Sequence, residues 1–122
     1  MKPQVVADRW ITNRFRRDLE RGITLKTRYG IIVPDIIFRH EFQGKRAGFW
    51  AVLGFEFQYI DSEGVKLASR YSKEYSTVAL ADCFALVLAQ QTSYSLVTAD
   101  EKLRTIAGEK NVHCLNLEGI LL

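Results

Sequence analysis

Four acidic side chains are the residues of this 122-residue chain whose positions suggest chemistry. Asp8 follows the apolar run VVA, Glu41 ends the segment IIVPDIIFRHE, Asp82 lies within VALADCFALVLA, and Asp100 follows SLVTA. Converging carboxylates raise one another's pKa unless a cation lies between them. Because Mg²⁺ or Mn²⁺ prefers oxygen ligands and can bridge carboxylates to a phosphate, the four acids predict metal-assisted phosphodiester hydrolysis.

Other catalytic chemistries have little support among the remaining residues. Cys83 and Cys114 stand among apolar neighbours, which predicts buried free thiols rather than a disulfide or a zinc site. His40 and His113 are the only histidines, and neither has an evident Ser or Cys partner. We therefore expect no covalent nucleophile.

The elements that must position the acids alternate between short apolar runs and longer helical segments, as in an α/β domain with a mainly parallel sheet. The pattern predicts strands at residues 4–7, 30–33, 54–60, 95–98 and 112–115, and helices at 13–21, 35–42, 63–72, 78–89 and 101–110. Functional groups in such a domain lie beyond the carboxyl ends of strands or on flanking helices. Since no linker or repeat interrupts the chain, we expect one domain over residues 1–122.

Charge is unevenly distributed along the chain. Residues 1–50 carry eleven basic and five acidic side chains, a net charge of +6, whereas residues 51–122 carry six and nine, a net charge of −3. This split suggests a polyanion contact next to a carboxylate-rich region. The 48% of hydrophobic residues excludes a disordered chain, and no apolar run reaches the roughly 18 residues of a membrane helix. We expect a soluble, cytoplasmic protein without membrane contact.

The segments IIVPDIIFRHEF and ALADCFALVLAQQTSYSLVTADEKLRTIAGEKNVHCLNL resemble the PIN domain, the fold of the VapC-like toxin nucleases. Members of that family have a strand-end Asp, a Glu after a Pro-containing segment, an Asp in an "ADcxALalA"-like helix and a "T-x-D-x-x-L" segment. The positions that match are Asp8, Glu41, Asp82, Thr98 and Asp100.

The resemblance implies a Mg²⁺- or Mn²⁺-dependent ribonuclease on a three-layer α/β/α fold with a central, mainly parallel sheet of four to five strands. It also implies a homodimer and a cognate antitoxin protein as partner. The four acids would hold the metal, and Thr98 would orient a metal-bound water or a neighbouring carboxylate.

Two competing functions follow from features outside that pattern. Asp8 is followed by Arg9 and Trp10, where the family usually has a small polar pair. This departure suggests a catalytically degenerate module that binds RNA or a protein partner without cleavage. The apolar C-terminal segment LEGILL suggests instead an interaction protein whose exposed end docks on a partner or a second copy.

Each acid also has a purely structural interpretation. Asp8 could pair with a neighbouring Arg, and Glu41 could be an exposed helix residue paired with Lys45. Asp82 could be bonded to an Arg, a Lys or a backbone amide. Thr98 or Asp100 could simply cap the helix that follows.

Basic residues in two places could contact an RNA backbone. Arg14 and Arg17 belong to a cluster on the first helix, although the interleaved Asp18 and Glu20 also suit a solvated face of paired charges. Lys45 and Arg46 follow Glu41 in the Gly-flanked segment QGKRAG.

Overall fold

The computed structural model describes residues 2–41 and 54–122, and for Phe38, His40 and Glu41 the backbone alone. Within these residues, each strand is followed by a helix, and two helices follow the third strand. Their bounds are β1 (Gln4–Ala7), α1 (Arg9–Glu20), β2 (Gly30–Pro34), α2 (Asp35–Glu41), β3 (Phe55–Gln58), α3 (Ser62–Glu74), α4 (Leu80–Thr92), β4 (Ser95–Val97), α5 (Glu101–Glu109), β5 (Cys114–Leu115) and α6 (Leu117–Ile120).

The five strands form one parallel sheet in the order β3-β2-β1-β4-β5. The central strand β1 pairs on both sides, with Val6 opposite Ile32 of β2 and Leu96 of β4. All three side chains are buried, as expected of a parallel sheet covered on both faces. The helix α4 packs against α3 and against the strands β1, β2 and β4, and α1 and α2 also contact it. The predicted α/β/α fold with a parallel sheet of four to five strands is confirmed.

The first helix begins earlier than the sequence predicted, at Arg9 rather than near Asn13. Asp8 is its N-cap, and its carboxylate oxygen Oδ1 accepts a 2.9 Å hydrogen bond from the backbone amide of Ile11. The Thr12 hydroxyl donates to the Asp8 carbonyl at 2.7 Å, which closes the first turn. Because Asp8 satisfies an otherwise unpaired amide, the helix starts directly after β1.

The most apolar helix is α4, which begins at Leu80 rather than at the predicted Val78. Every residue from Cys83 to Ala89 is buried, whereas Leu80 is exposed and Asp82 is partly exposed. The prediction of a helix covered on nearly all sides therefore holds for its middle but is wrong for its first turn. Asp82 lies near the surface at the amino end of the helix.

The C-terminal segment packs into the domain. Leu117 and Ile120 of α6 are buried, and Leu121 forms an antiparallel bridge with Thr27. Leu122 alone among these apolar residues is exposed, with 75% of its surface accessible. The expectation that the segment packs on the body is right, and the idea of an exposed docking segment is wrong because its apolar side chains complete the core.

The two thiols are free, but they differ in burial. Cys83 is buried, and burial raises its pKa to about 11. Cys114 is only partly buried, so the prediction of a buried thiol is wrong for this residue. Within the described residues, no helix is long and apolar enough to cross a membrane.

Candidate metal and nucleic-acid site

A cavity of about 520 Å³ lies where the strand order of the sheet reverses. The chain leaves β1 at Asp8 towards β2 on one side, and it leaves β4 at Thr98 towards β5 on the other. Such a reversal separates the two loops and opens a crevice at the carboxyl ends of the strands, which is where α/β sheets bind ligands. Its lining residues are Asp8, Arg9, Trp10, Asn13, Asp82, Ala99 and Asp100.

Asp8 forms the buried floor of this cavity. Its carboxylate accepts a hydrogen bond from the Ile11 amide at Oδ1 and a 2.5 Å hydrogen bond from the Thr98 hydroxyl at Oδ2. Desolvation by burial raises its pKa to about 6, and the negative charges of Asp82 and Asp100 add to the rise while the two hydrogen bonds oppose it. Among the described residues, no positive charge acts to lower the pKa of Asp8.

Asp82 enters the cavity from the first turn of α4. Partial burial raises its pKa, and the charge of Asp100 contributes to the rise. The backbone amide of Arg9 donates a hydrogen bond to its carboxylate, and the Arg9 charge also lowers this pKa. The structural interpretation, in which Asp82 is bonded to a backbone amide, is thus correct. The neighbouring Arg9 acts on Asp82, whereas the sequence suggested an Arg paired with Asp8.

Asp100 lies opposite, in the loop after β4, and it is the N-cap of α5. Its Oδ1 accepts a 2.9 Å hydrogen bond from the Lys102 amide. The capping interpretation is therefore correct for Asp100, and the same carboxylate lines the cavity. The capping bond occupies one of several lone pairs, so the carboxylate retains acceptor capacity for a cation.

Thr98 connects the two loops. Its hydroxyl donates to Asp8 and accepts a 3.0 Å hydrogen bond from the Asp100 amide. Its carbonyl accepts a 3.0 Å hydrogen bond from Arg104 Nη2 on α5. Arg104 is a residue that sequence reasoning missed, because only its position one turn beyond Asp100 hints that it returns to the end of β4.

Glu41 is the last residue of α2, and its side chain lies outside the described part of the structure. Lys45 and Arg46 lie outside it as well. The structure therefore brings Asp8, Asp82, Asp100 and Thr98 to one place, and says nothing of whether the other three predicted residues join them.

The predicted RNA contacts on α1 separate into two kinds. Arg14 Nε bonds to Asp18 Oδ2 at 3.1 Å, and Arg16 pairs with Glu20 at 3.2 Å, both across one helical turn. The paired-charge interpretation is thus correct for Arg14. Arg17 is exposed and makes no ion pair with a described residue.

Three carboxylates share this one partly enclosed space, and carboxylate oxygens are the ligands that hard divalent cations prefer. Among the side chains that the structure describes, no group of three or more His, Cys, Asp or Glu residues is arranged so that it could hold a metal ion by itself. Any cation held here would need a further ligand, and Glu41 is the acid that the sequence offers for that place.

Fold and cavity together define an α/β domain with an acidic crevice at the reversal of its parallel sheet. The family model for the PIN domain matches residues 44–109, more than half of the chain, so the protein belongs to the PIN domain family. The match contains Asp82, Thr98 and Asp100. PIN domains are generally nucleases that act on RNA, typically with divalent metal ions. A comparison with curated proteins finds no match.

Proposed function

We propose that this protein is a metal-dependent endoribonuclease that hydrolyses phosphodiester bonds of RNA. The observation that carries the proposal is the convergence of Asp8, Asp82 and Asp100 on one cavity at the reversal of the sheet. These three acids and Glu41 would hold Mg²⁺ or Mn²⁺. When bound, the cation supplies activation of water and neutralisation of the phosphate charge.

The residues of the cavity have separate tasks in this proposal. Asp82 and Asp100 are partly exposed and offer oxygen atoms to the cavity, whereas Asp8 lies beneath them. Thr98 holds the Asp8 carboxylate through its hydroxyl, and Arg104 holds the Thr98 carbonyl. Hydrogen bonds from fixed protein groups keep the acids in position without rearrangement during the reaction.

The direct test is cleavage of single-stranded RNA in Mg²⁺, in Mn²⁺ and in EDTA. We expect cutting in either metal, none in EDTA, and a loss of at least about a hundredfold in Asp82→Asn and Asp100→Asn. Asn is as good an N-cap as Asp, so Asp100→Asn preserves the start of α5. Glu101→Gln is the matched control, because Glu101 is exposed, adjacent and outside the cavity lining. Equal activity in EDTA, or in both Asp variants, would refute the proposal.

A second candidate function is RNA or protein binding without cleavage. The observation that favours it is the action of Arg9 on Asp82, since the amide and the charge of Arg9 partly offset the desolvation of this carboxylate without a metal. In that case the wild type would bind RNA equally well in EDTA and in Mg²⁺ and would cut it in neither. Addition of Mn²⁺ would then leave the thermal stability unchanged.

We further propose that the chain forms one cytoplasmic domain that acts as the VapC-like toxin of a toxin–antitoxin pair and forms a homodimer. The family membership supports this assignment. Sedimentation should give twice the 14.0 kDa chain mass. Expression should arrest growth in the wild type but not in Asp100→Asn, and growth should recover when the antitoxin is supplied. A monomer that does not affect growth would refute both parts.

A further inference from the structure

One wall of the acidic cavity has a different chemistry from its floor. The first turns of α1 contribute Arg9, Trp10 and Asn13 to this wall. Positions 10 and 13 are three apart and therefore lie on one helix face, with position 9 beside them at the helix start. The wall thus combines a cation, an aromatic ring and a carboxamide next to the carboxylates.

Trp10 is exposed over 47% of its surface, although it belongs to a helix whose Ile11 and Phe15 are fully buried. Large aromatic side chains stabilise a fold mainly by burial, so a half-exposed indole in a cavity contributes little to the core. An aromatic face beside a basic residue is the arrangement with which proteins stack nucleic-acid bases. The indole therefore offers a binding surface.

Asn13 adds a hydrogen-bonding group to this surface. Its carboxamide oxygen accepts a 3.3 Å hydrogen bond from Arg16 Nε on the next turn, which restrains the orientation of the carboxamide. Carboxamides pair with base edges because they carry both donors and an acceptor. Arg9 is exposed, and its charge next to Asp82 reduces the repulsion that the acids exert on a phosphate.

We propose that Trp10 and Asn13 form a nucleobase subsite beside the carboxylates. One base next to the scissile phosphate stacks on the Trp10 indole, Asn13 contacts the edge of that base, and Arg9 contacts its phosphate. The cavity volume of about 520 Å³ accommodates a group of this size. This inference rests on the proposed function, in that it names how the same site holds RNA.

The test measures the affinity of a fluorescent single-stranded RNA by anisotropy, in the Asp100→Asn background with Mg²⁺ so that cleavage does not interfere. Trp10→Ala should weaken the affinity by roughly 5- to 100-fold, whereas Trp10→Phe retains a ring and should lose less than about threefold. Tyr94→Ala is the matched control, because Tyr94 is an exposed aromatic residue that precedes β4, at the amino end of the strand and outside the cavity lining.

A second probe separates stacking from a general effect on charge or folding. The same oligonucleotide with its bases removed should bind the parent protein about as weakly as the intact RNA binds Trp10→Ala, and Trp10→Ala should not weaken it further. Unchanged affinity of Trp10→Ala for intact RNA would overturn the proposal. An equal loss on both probes would also overturn it, as would a Trp10-dependent protein association without an effect on RNA.

Failure of this inference is distinguishable from failure of the proposed function. Metal-dependent cleavage by the wild type, together with full RNA affinity in Trp10→Ala, would remove the subsite and leave the enzyme. Trp10-dependent RNA binding without cleavage in any metal would retain the subsite and remove the enzyme. Circular dichroism of Trp10→Ala should match the parent, since the side chain lies outside the core.

Discussion

The Thr98 hydroxyl donates a 2.5 Å hydrogen bond to Oδ2 of Asp8, so the ends of β4 and β1 are joined through residues that are 90 positions apart. Both side chains are buried. The same hydroxyl accepts the Asp100 amide, so one side chain fixes two of the three acids that line the cavity. Thr98 therefore links the geometry of the site to the packing of the sheet.

Replacement of Thr98 by Val should test this link, because it removes the hydroxyl and keeps the branched shape. We expect a loss of about 1–3 kcal/mol in the free energy of unfolding at pH 7.5, since a buried carboxylate and an amide both lose a partner. Because the Thr98 hydrogen bond lowers the pKa of Asp8, the loss should be smaller at pH 4.5, where Asp8 is mostly protonated. Urea titrations at both pH values give the comparison.

Thr105→Val is the control for that experiment. The Thr105 hydroxyl also donates a 3.0 Å hydrogen bond, but to the Glu101 carbonyl on the exposed side of α5. Its replacement should change the free energy of unfolding by less than about 0.5 kcal/mol. Equal losses in the two variants would mean that the Thr98–Asp8 bond has no special weight.

The raised pKa of Asp8 predicts a specific pH dependence for the metal-free protein. Its pKa is about 6 when folded and 3.8 in the unfolded reference, so the folded state binds the proton more tightly. The stabilisation that this provides is complete below pH 4 and is lost as the pH rises through 6. Between pH 4 and pH 7.5, the free energy of unfolding of the wild type should therefore fall by about 2–3 kcal/mol relative to that of Asp8→Asn.

The measurement is the difference in unfolding free energy between wild type and Asp8→Asn across this pH range, in EDTA. Asn can still cap α1, and the other titrating groups largely cancel in the difference. A constant difference, or a wild type that gains relative stability with rising pH, would contradict a pKa of Asp8 that is raised by burial.

The C-terminal segment provides a matched pair of variants for the finding that it belongs to the core. Ile120 is fully buried, so Ile120→Ala should lower the free energy of unfolding by about 2–4 kcal/mol. Leu122 is exposed, and Leu122→Ala should change it by less than about 0.5 kcal/mol. Thermal unfolding measures both. An effect of Ile120→Ala as small as that of Leu122→Ala would contradict the finding that this segment belongs to the core.

The sequence predicted the order of strands and helices well because apolar runs such as Ile31–Val33 and Leu96–Val97 report burial directly. It placed the start of α1 wrongly because capping by Asp8 depends on a single side-chain bond. The apolar residues Val78 and Ala79 look like helix, yet the structure begins α4 at Leu80. The amino-acid composition of a segment therefore does not show at which residue its helix begins.

The candidate site could likewise be predicted only in part. Asp8, Thr98 and Asp100 could be predicted because the carboxyl ends of parallel strands meet at one edge of the sheet, and Asp82 because it is the one acid of an apolar helix that flanks the sheet. The effect of Arg9 on Asp82 could not, because it depends on how closely the first turn of α1 approaches α4. Nor could the hydrogen bond from Arg104 to Thr98, since a side chain returning to a strand end has no periodic signature. The sequence showed Trp10 only as a departure from the family motif, whereas its position in the cavity wall indicates the proposed contact with a base.

Calorimetric titration with Mn²⁺ tests most directly whether the carboxylates form one cation site. The wild type should bind Mn²⁺, Asp82→Asn and Asp100→Asn should each weaken binding at least about tenfold, and Glu101→Gln should bind like the wild type. The thermal unfolding temperature should rise with Mn²⁺ in the same rank order, because a ligand of the folded state stabilises it. Equal Mn²⁺ affinity in all four proteins would contradict a shared cation site.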